Sequence, residues 1–471
     1  MTAIELAAYA VLLAAAAVAV WRRPIVAAFL FVVGLALHNA VMAALYSAGV
    51  RGSTLTAITA WKEILLAVAL LRVASDAWRA RSLAFRWGVT DFLALAFGAL
   101  CVVYALIPQS TLGGGADRHA VALALRHDLI PVGVYFLGRS IVVTREDWRR
   151  LGWTLLGTAG AVAAWGLIDV YAISIAWWRT NGVVAYFHKH LGYDYHGTGG
   201  LPENFIYNVG NNEPFLRRLV STFLSPLASG YLFVVALLVA VRRRRAAIVF
   251  AIVVSAGLLW TFSRSSLVAL AGGLVVLGLL RRRAWELAAA VLVIAVAVGW
   301  AHLFPHIAPT GDWTKPDLRL QAQLAQKGPH GDFSAVSSNE PSLHEHWQAL
   351  KDGVRTMIDH PQGYGLGNVG QTASRTDTPL KAGESNYTEL GVELGVLGAL
   401  LWVAWALAVL VGLARVGAFR VCAAFAAVLA LAVQTDVIGD PWVAYCVWGL
   451  VGASLPKARP QERLASDAVL A

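Results

Sequence analysis

The chain has 471 residues, of which 58% are hydrophobic and 14% charged, and its mean hydropathy is +0.62. This composition excludes a soluble globular domain, and recurring apolar runs of roughly 17 to 25 residues read as a polytopic helical membrane protein. The net charge of +10 does not indicate a nucleic-acid partner, because the cations sit in short clusters between apolar runs, where they set topology.

In chain order, spans are predicted near 3–20, 25–47, 57–75, 88–107, 128–143, 152–176, 219–241, 246–262, 265–281, 284–303, 384–413, 417–436 and 441–455. The fold class is therefore all-α, with about 12 to 13 transmembrane helices and no alternating strand pattern of the kind a barrel needs. The first run lacks a basic n-region and a small-residue cleavage site, so it reads as a retained span. Basic loops at 21–24, 76–87, 144–151, 242–245, 281–283 and 414–420, with the tail from Lys457, fall on one side, the cytoplasmic side by the positive-inside rule. Two long polar segments, about 177–218 and about 304–383, remain for the outer side and are expected to form a helical cap. The resulting organisation is 1–176 N-terminal spans, 177–218 first outer loop, 219–303 spans with arginine-bearing turns, 304–383 large outer loop, and 384–471 C-terminal spans with a short tail.

Polar residues inside the spans read mostly as structural. His38 and Asn39 suit interhelical hydrogen bonds, and Lys62 and Glu63 suit local pairing. Arg126, His127 and Arg139 flank the outer half of the fifth span, with a structural role favoured over an anion site. Cys101, Cys422 and Cys446 show neither a disulfide framework nor a zinc spacing, and no metal or cofactor is expected.

Chemistry is expected at the outer ends. Arg217 and Arg218, in "RRLVSTFLSP", open the seventh span, and Arg264, in "WTFSRSSLVAL", stands at the outer turn between the eighth and ninth. Cations near hydrocarbon need a partner or a wet cavity, and arginine suits phosphate through paired hydrogen bonds. In the large loop, "SLHEHWQALKDGVRTMIDHP" predicts a helix opened by a Ser342-x-x-Glu345 capping box and closed at Pro361. Its apolar face is Leu343, Trp347, Leu350, Val354 and Met357; His344, Gln348, Lys351 and Arg355 lie opposite. The glycines of "HPQGYGLGNVG" read as a tight connector packed on the membrane domain, since no strand or Rossmann unit surrounds them. In "KAGESNYTELGVELGVLGALL", Glu384, Tyr387 and Glu393 begin or line the eleventh span. Asp436 and Asp440 are expected to cap an outer turn before Pro441.

These stretches, in this order, resemble the O-antigen ligase and polymerase superfamily of bacterial envelope glycan enzymes. "RLVSTFLSP" is similar to the family's arginine followed by a Gly/Ser-Thr-Phe-x-Asn-Pro-like turn, with Ser225 where Asn is usual; "TFSRSS" to its Thr-x-Ser-Arg-Gly-like turn; "WQALKDGVRTMIDHPQGYGLGNVG" to its Trp-helix-Pro-x-Gly-x-Gly segment; and "ESNYTELGVELGVLG" to the span entry after the large loop. The resemblance covers roughly residues 215 to 410. It implies a metal-independent glycosyltransferase of the bacterial inner membrane, its site facing the periplasm, that takes a glycan from undecaprenyl pyrophosphate and passes it to lipid A-core or another glycan acceptor. Arg218 and Arg264 would grip the pyrophosphate, with Arg217, His344, His346, Tyr387 and Arg139 completing the substrate-binding set. Where ligases of the family carry a histidine base, this chain has Glu384; His344 and His346 are the alternatives. A polymerase using the same donor is the close alternative reading. A protein O-oligosaccharyltransferase fits less well, with about sixteen residues after the last span, and a polysaccharide transporter would favour broken helices at mid-membrane.

Overall fold

A computed structural model describes residues 3–208, 214–240, 245–325 and 341–457. The expected basic residues 242–244, His330 and the tail beyond Lys457 lie outside these, as does the side chain of Ser342 in the expected capping box.

The helices are α1 (Ala3–Arg22), α2 (Val26–Ser47), α3 (Gly52–Thr59), α4 (Trp61–Ala80), α5 (Val89–Leu106), α6 (Arg118–Ser140), α7 (Arg145–Ala172), the short α8 (Ile175–Thr180) and α9 (Val183–Ala185), α10 (Pro226–Ala240), α11 (Arg245–Trp260), α12 (Arg264–Arg281), α13 (Ala284–Ile307), α14 (Lys315–Ala325), α15 (Pro341–Asp359), α16 (Gly370–Arg375), α17 (Asn386–Arg415), α18 (Phe419–Leu431) and α19 (Trp448–Ser454). Among the described residues, eight helices are long and apolar enough to cross a membrane, or nine if α3 and α4, bent by 40°, form one span. The four other expected spans are the shorter apolar helices Pro226–Ala240, Arg245–Trp260, Phe419–Leu431 and Val443–Ser454.

Close helix packing follows from small residues. A Cβ on Gly138 of α6 would stand 2.4 Å from the Gly449 carbonyl, and one on Gly452 of α19 would stand 2.2 Å from the Tyr135 carbonyl. Without a hydrophobic force between helices in lipid, such backbone approach supplies the van der Waals contact that holds them.

Basic loops gather at one end of the bundle. Arg23 pairs with Asp147 at 2.5 Å, and Lys457 donates to the Gly138 carbonyl at 2.7 Å. At the opposite end the two long polar segments interlock. A small antiparallel sheet, β1 (Ile206–Tyr207), β2 (Phe215–Arg217) and β3 (Thr310–Gly311), takes strands from both. Asp317 accepts from Thr198 Oγ1 and from the Gly199 N–H, each at 3.0 Å. Burial opposes its charge, but these bonds and those from Thr314 hold its carboxyl below the usual range. The expected all-helical cap is thus partly strand, because two extended segments side by side satisfy their backbone groups by pairing.

The segment after α15 clasps the start of α17. Tyr364 N–H donates to the Val392 carbonyl at 2.7 Å, Gly365 N–H to Glu393 O at 2.9 Å, and Val396 N–H to Pro361 O at 2.9 Å. Gly363, Gly365, Gly367 and Gly370 all adopt positive φ, so the connector expected from the sequence is present and its glycines are required by the backbone. Within α17, Gly395 (φ 72°, ψ 179°) breaks the helix where Pro361 abuts it. The remainder of the helix beyond this break, residues 396–415, is about 30 Å long, one bilayer core.

A Cβ on Gly395 would lie 2.4 Å from the Pro361 carbonyl oxygen, and its backbone region is accessible to glycine almost alone. Gly395→Ala is expected to destabilise the protein by about 1–3 kcal/mol, read as a lowered unfolding temperature in detergent. Gly299→Ala, with nothing within 4 Å of the added carbon, is the control and should leave that temperature unchanged or higher.

Candidate functional site

The two arginine motifs meet as paired backbones. Leu219 N–H donates to the Trp260 carbonyl at 2.9 Å, and Arg218 Nε donates to the Thr261 carbonyl at 2.9 Å. The "STF" turn is anchored to neighbouring helices: Ser221 Oγ donates to Val162 O at 2.7 Å and Thr222 Oγ1 to Ala36 O at 2.6 Å. Ser225 Oγ accepts from the Ala228 N–H at 3.3 Å at the start of α10. Serine therefore does at this turn what asparagine would do, since both cap helix N-termini well. In the second motif Ser263 caps α12 by accepting from Ser266 N–H, which makes Arg264 the first residue of that helix. Its guanidinium carbon is 5.9 Å from the centre of the Tyr207 ring.

A guanidinium at the positive end of a helix dipole is misplaced for stability. Arg264 at the first turn of α12, with Arg218 fastened to the same turn, forms an electropositive corner suited to a multiply charged anion.

Arg217, one residue earlier, faces another way. It is 5% exposed and donates to the carbonyls of Asp169 (3.3 Å), Val170 (3.1 Å) and Ile173 at the C-terminus of α7, and its charge lies 3.6 Å from Asp169. A cation there is favoured by the helix dipole, so the geometry gives Arg217 a capping task. Arg139 also departs from expectation: it lies at the basic end, not in the outer half of its span. It donates to Asp91 from Nε (2.8 Å) and Nη2 (3.1 Å) and to Pro456 O at 2.6 Å. The span begins earlier than its apolar run, at Arg118, so Arg139 falls on its last turn and points away from the outer loops.

Glu384 and His346, expected as alternatives, stand together. His346 Nδ1 lies 2.6 Å from Glu384 Oε1, both side chains partly exposed at 30% and 39%. Helix α15 delivers the histidine because it runs along α17, its Gly353 against Thr388 and its Met357 against Gly391. Of the expected apolar face, Leu350 and Met357 are half-buried, whereas Leu343 and Trp347 remain 48% and 58% exposed. His344 is exposed two residues before the contact, on another side of the helix, and Tyr387 donates its hydroxyl to Leu429 O at 2.9 Å, tying α17 to α18.

Between these pairs lies a cluster that sequence reasoning missed. His127 Nδ1 is 2.8 Å from Asp128 Oδ1 and its Nε2 is 3.0 Å from Asp436 Oδ2. Asn386 Nδ2 donates to Asp436 Oδ1 at 2.5 Å, while its oxygen accepts from the Val437 N–H at 2.8 Å. Glu393 Oε1 accepts from the Gly367 N–H at 2.8 Å. With Gln371, Thr372 and Glu389 these groups line a pocket of about 330 Å³. The expected cap is present too, since Asp436 Oδ1 accepts from Gly439 N–H at 2.9 Å; its second task, pairing with a histidine 309 residues away, leaves no local pattern. Among the described residues, no group of three or more His, Cys, Asp or Glu side chains could hold a metal ion.

Residues 249–403 match the family model described as O-Antigen ligase. That stretch runs from α11 through α12 and α15 into α17, and it supports the O-antigen ligase superfamily and glycan transfer in the broad sense. No curated protein matches the chain.

The burial of Arg139 generates a prediction. Arg139→Ala would strand Asp91, which is 0% exposed, and is expected to cost roughly 3–5 kcal/mol, seen as lost folded protein on size-exclusion chromatography. Arg139→Met with Asp91→Leu should recover much of it. An Arg139→Ala protein that folds normally and shows only weakened donor binding would return the residue to the substrate set.

Proposed function

We propose that the chain is an O-antigen ligase: it transfers a glycan from undecaprenyl pyrophosphate to a hydroxyl of lipid A-core, at the periplasmic face of the inner membrane. The observation that carries this reading is the arginine corner, where Arg218 and Arg264 converge on one turn at the positive end of α12. A lipid diphosphate is the anion that reaches such a place from the bilayer.

In the transfer, an acceptor hydroxyl attacks the anomeric carbon. The bond from that carbon to the diphosphate oxygen breaks and its electron pair leaves with the diphosphate. Charge grows on the leaving oxygens, and fixed guanidinium groups stabilise it more than they stabilise the donor, which lowers the barrier. The acceptor's proton passes to Glu384, with His346 beside it to hold the carboxylate's orientation. The departure from a family histidine is thereby reduced: carboxylate and imidazole are both at hand.

Arg218→Ala and Arg264→Ala are each expected to reduce transfer by roughly 10²–10³-fold at normal protein abundance, measured with purified lipid-linked glycan and acceptor. Wild-type rates in both would remove the diphosphate assignment. Glu384→Gln should lose roughly 10²–10⁴-fold, and His346→Asn less; if Glu384→Gln stays active and His346→Asn does not, the histidine is the base. In cells lacking the chain, full-length polymer stranded on the lipid carrier is the expected outcome, whereas acceptors bearing single repeats would identify a polymerase.

A further inference from the structure

Helix α15 has three faces. One carries His346, Gly353 and Met357 against α17 and Glu384. A second carries Glu345, Gln348, Asp352 and Asp359, all exposed. On the third, Trp347, Leu350, Lys351, Val354, Arg355 and Ile358 line an open groove of about 630 Å³. Trp347, Val354 and Ile358 there are 58%, 37% and 65% exposed. A face with this much bare apolar surface, rimmed by charge, marks an interaction site.

We propose that this groove docks an anionic lipid of the outer leaflet, its acyl chain along Trp347, Val354 and Ile358 and its phosphate between Lys351 and Arg355. The proposal rests on the transfer reading for its purpose, as the lateral berth of a lipid-borne substrate. Three observations choose this occupant. First, both charged side chains lining the groove are cations, and Arg355 keeps an acidic neighbour only at 3.7 Å, in Asp359; an apolar face flanked by lysine and arginine is the pattern of an interfacial helix. Second, the groove ends where the exposed apolar row of a span-length helix begins. Ile358 is three residues before Pro361, whose carbonyl accepts from Val396 N–H, and Leu397 and Leu400, just beyond, are 57% and 61% exposed along α17. The bare face of α15 thus ends where the lipid-facing row of α17 begins. Third, the groove lies on the helix that holds His346 2.6 Å from Glu384, so a docked lipid lies along the helix that carries the reacting end of the site.

The test uses the full chain in nanodiscs. The three native cysteines are buried, so a bimane placed on Ile358→Cys, or on Asp352→Cys as the other-face control, labels one position. With brominated-acyl phosphatidylglycerol, bimane at 358 should be quenched and bimane at 352 far less. Brominated phosphatidylcholine should quench position 358 less than phosphatidylglycerol does, and Lys351→Glu with Arg355→Glu should abolish that headgroup preference. Equal quenching at 352 and 358, or no headgroup preference at 358, would overturn the proposal; so would bimane self-quenching that rises with protein per disc, which assigns the face to a second copy. In transfer assays the same charge reversal should raise KM for the lipid-borne acceptor roughly tenfold with kcat unchanged, and leave a short-chain, water-soluble acceptor unaffected. Quenching is read without turnover, so inactive Arg218→Ala protein that still shows the full quenching pattern keeps the berth whatever becomes of the transfer reading.

Discussion

The hydrogen bond from Val396 N–H to the Pro361 carbonyl governs the outer half of the molecule. A helix entering a bilayer cannot leave a backbone donor unsatisfied, and α17 breaks at Gly395, where the i−4 partner is lost. Pro361 replaces it from outside the helix. The consequence is a division of α17 into a buried outer segment, bearing Asn386, Glu389 and Glu393, and a lower segment of bilayer length. Carboxylates that would be costly in hydrocarbon thereby belong to the outer segment, under the clasp of residues 361–370. The clasp is held in turn by Asn368, which accepts from the N–H groups of Gly115 and Ala116 at 2.7 and 3.1 Å, so α5, α6, α15 and α17 share one outer joint.

Electrostatic placement sorts the arginines by the helix end that each one meets. Arg217 and Arg218 are neighbours, and successive side chains of an extended segment point to opposite faces. One therefore reaches the C-terminus of α7, where a cation is stabilising, and the other the N-terminal turn of α12, where the dipole opposes it. Arg139 follows a different rule, since it is paired with Asp91 at the basic end. Two cations gathered at the positive end of one helix reinforce its dipole, and the summed field favours an anion there.

Much of the organisation was legible because lipid is a demanding solvent. Apolar runs of span length, basic loops on one side and two long polar segments reflect transfer energies and need no tertiary knowledge. The glycines after Pro361 were legible for a similar reason, since four within eight residues admit few conformations other than a tight turn. By contrast, nothing in the sequence distinguished Arg217 from Arg218, because their fates depend on which helix lies beside each face of β2.

The sequence alone determined which segments are apolar enough to span, which loops are basic, and the short motifs whose geometry closes within a few residues. The tertiary structure alone decided which distant groups meet: His127 with Asp436, His346 with Glu384, Arg218 with the turn before Arg264, and the side of α15 left bare. Hydrophobicity and capping act along the chain and leave a periodic record there. A hydrogen bond between residues 309 positions apart leaves none, because it depends on how helices pack, and packing is set by contacts summed over the whole bundle.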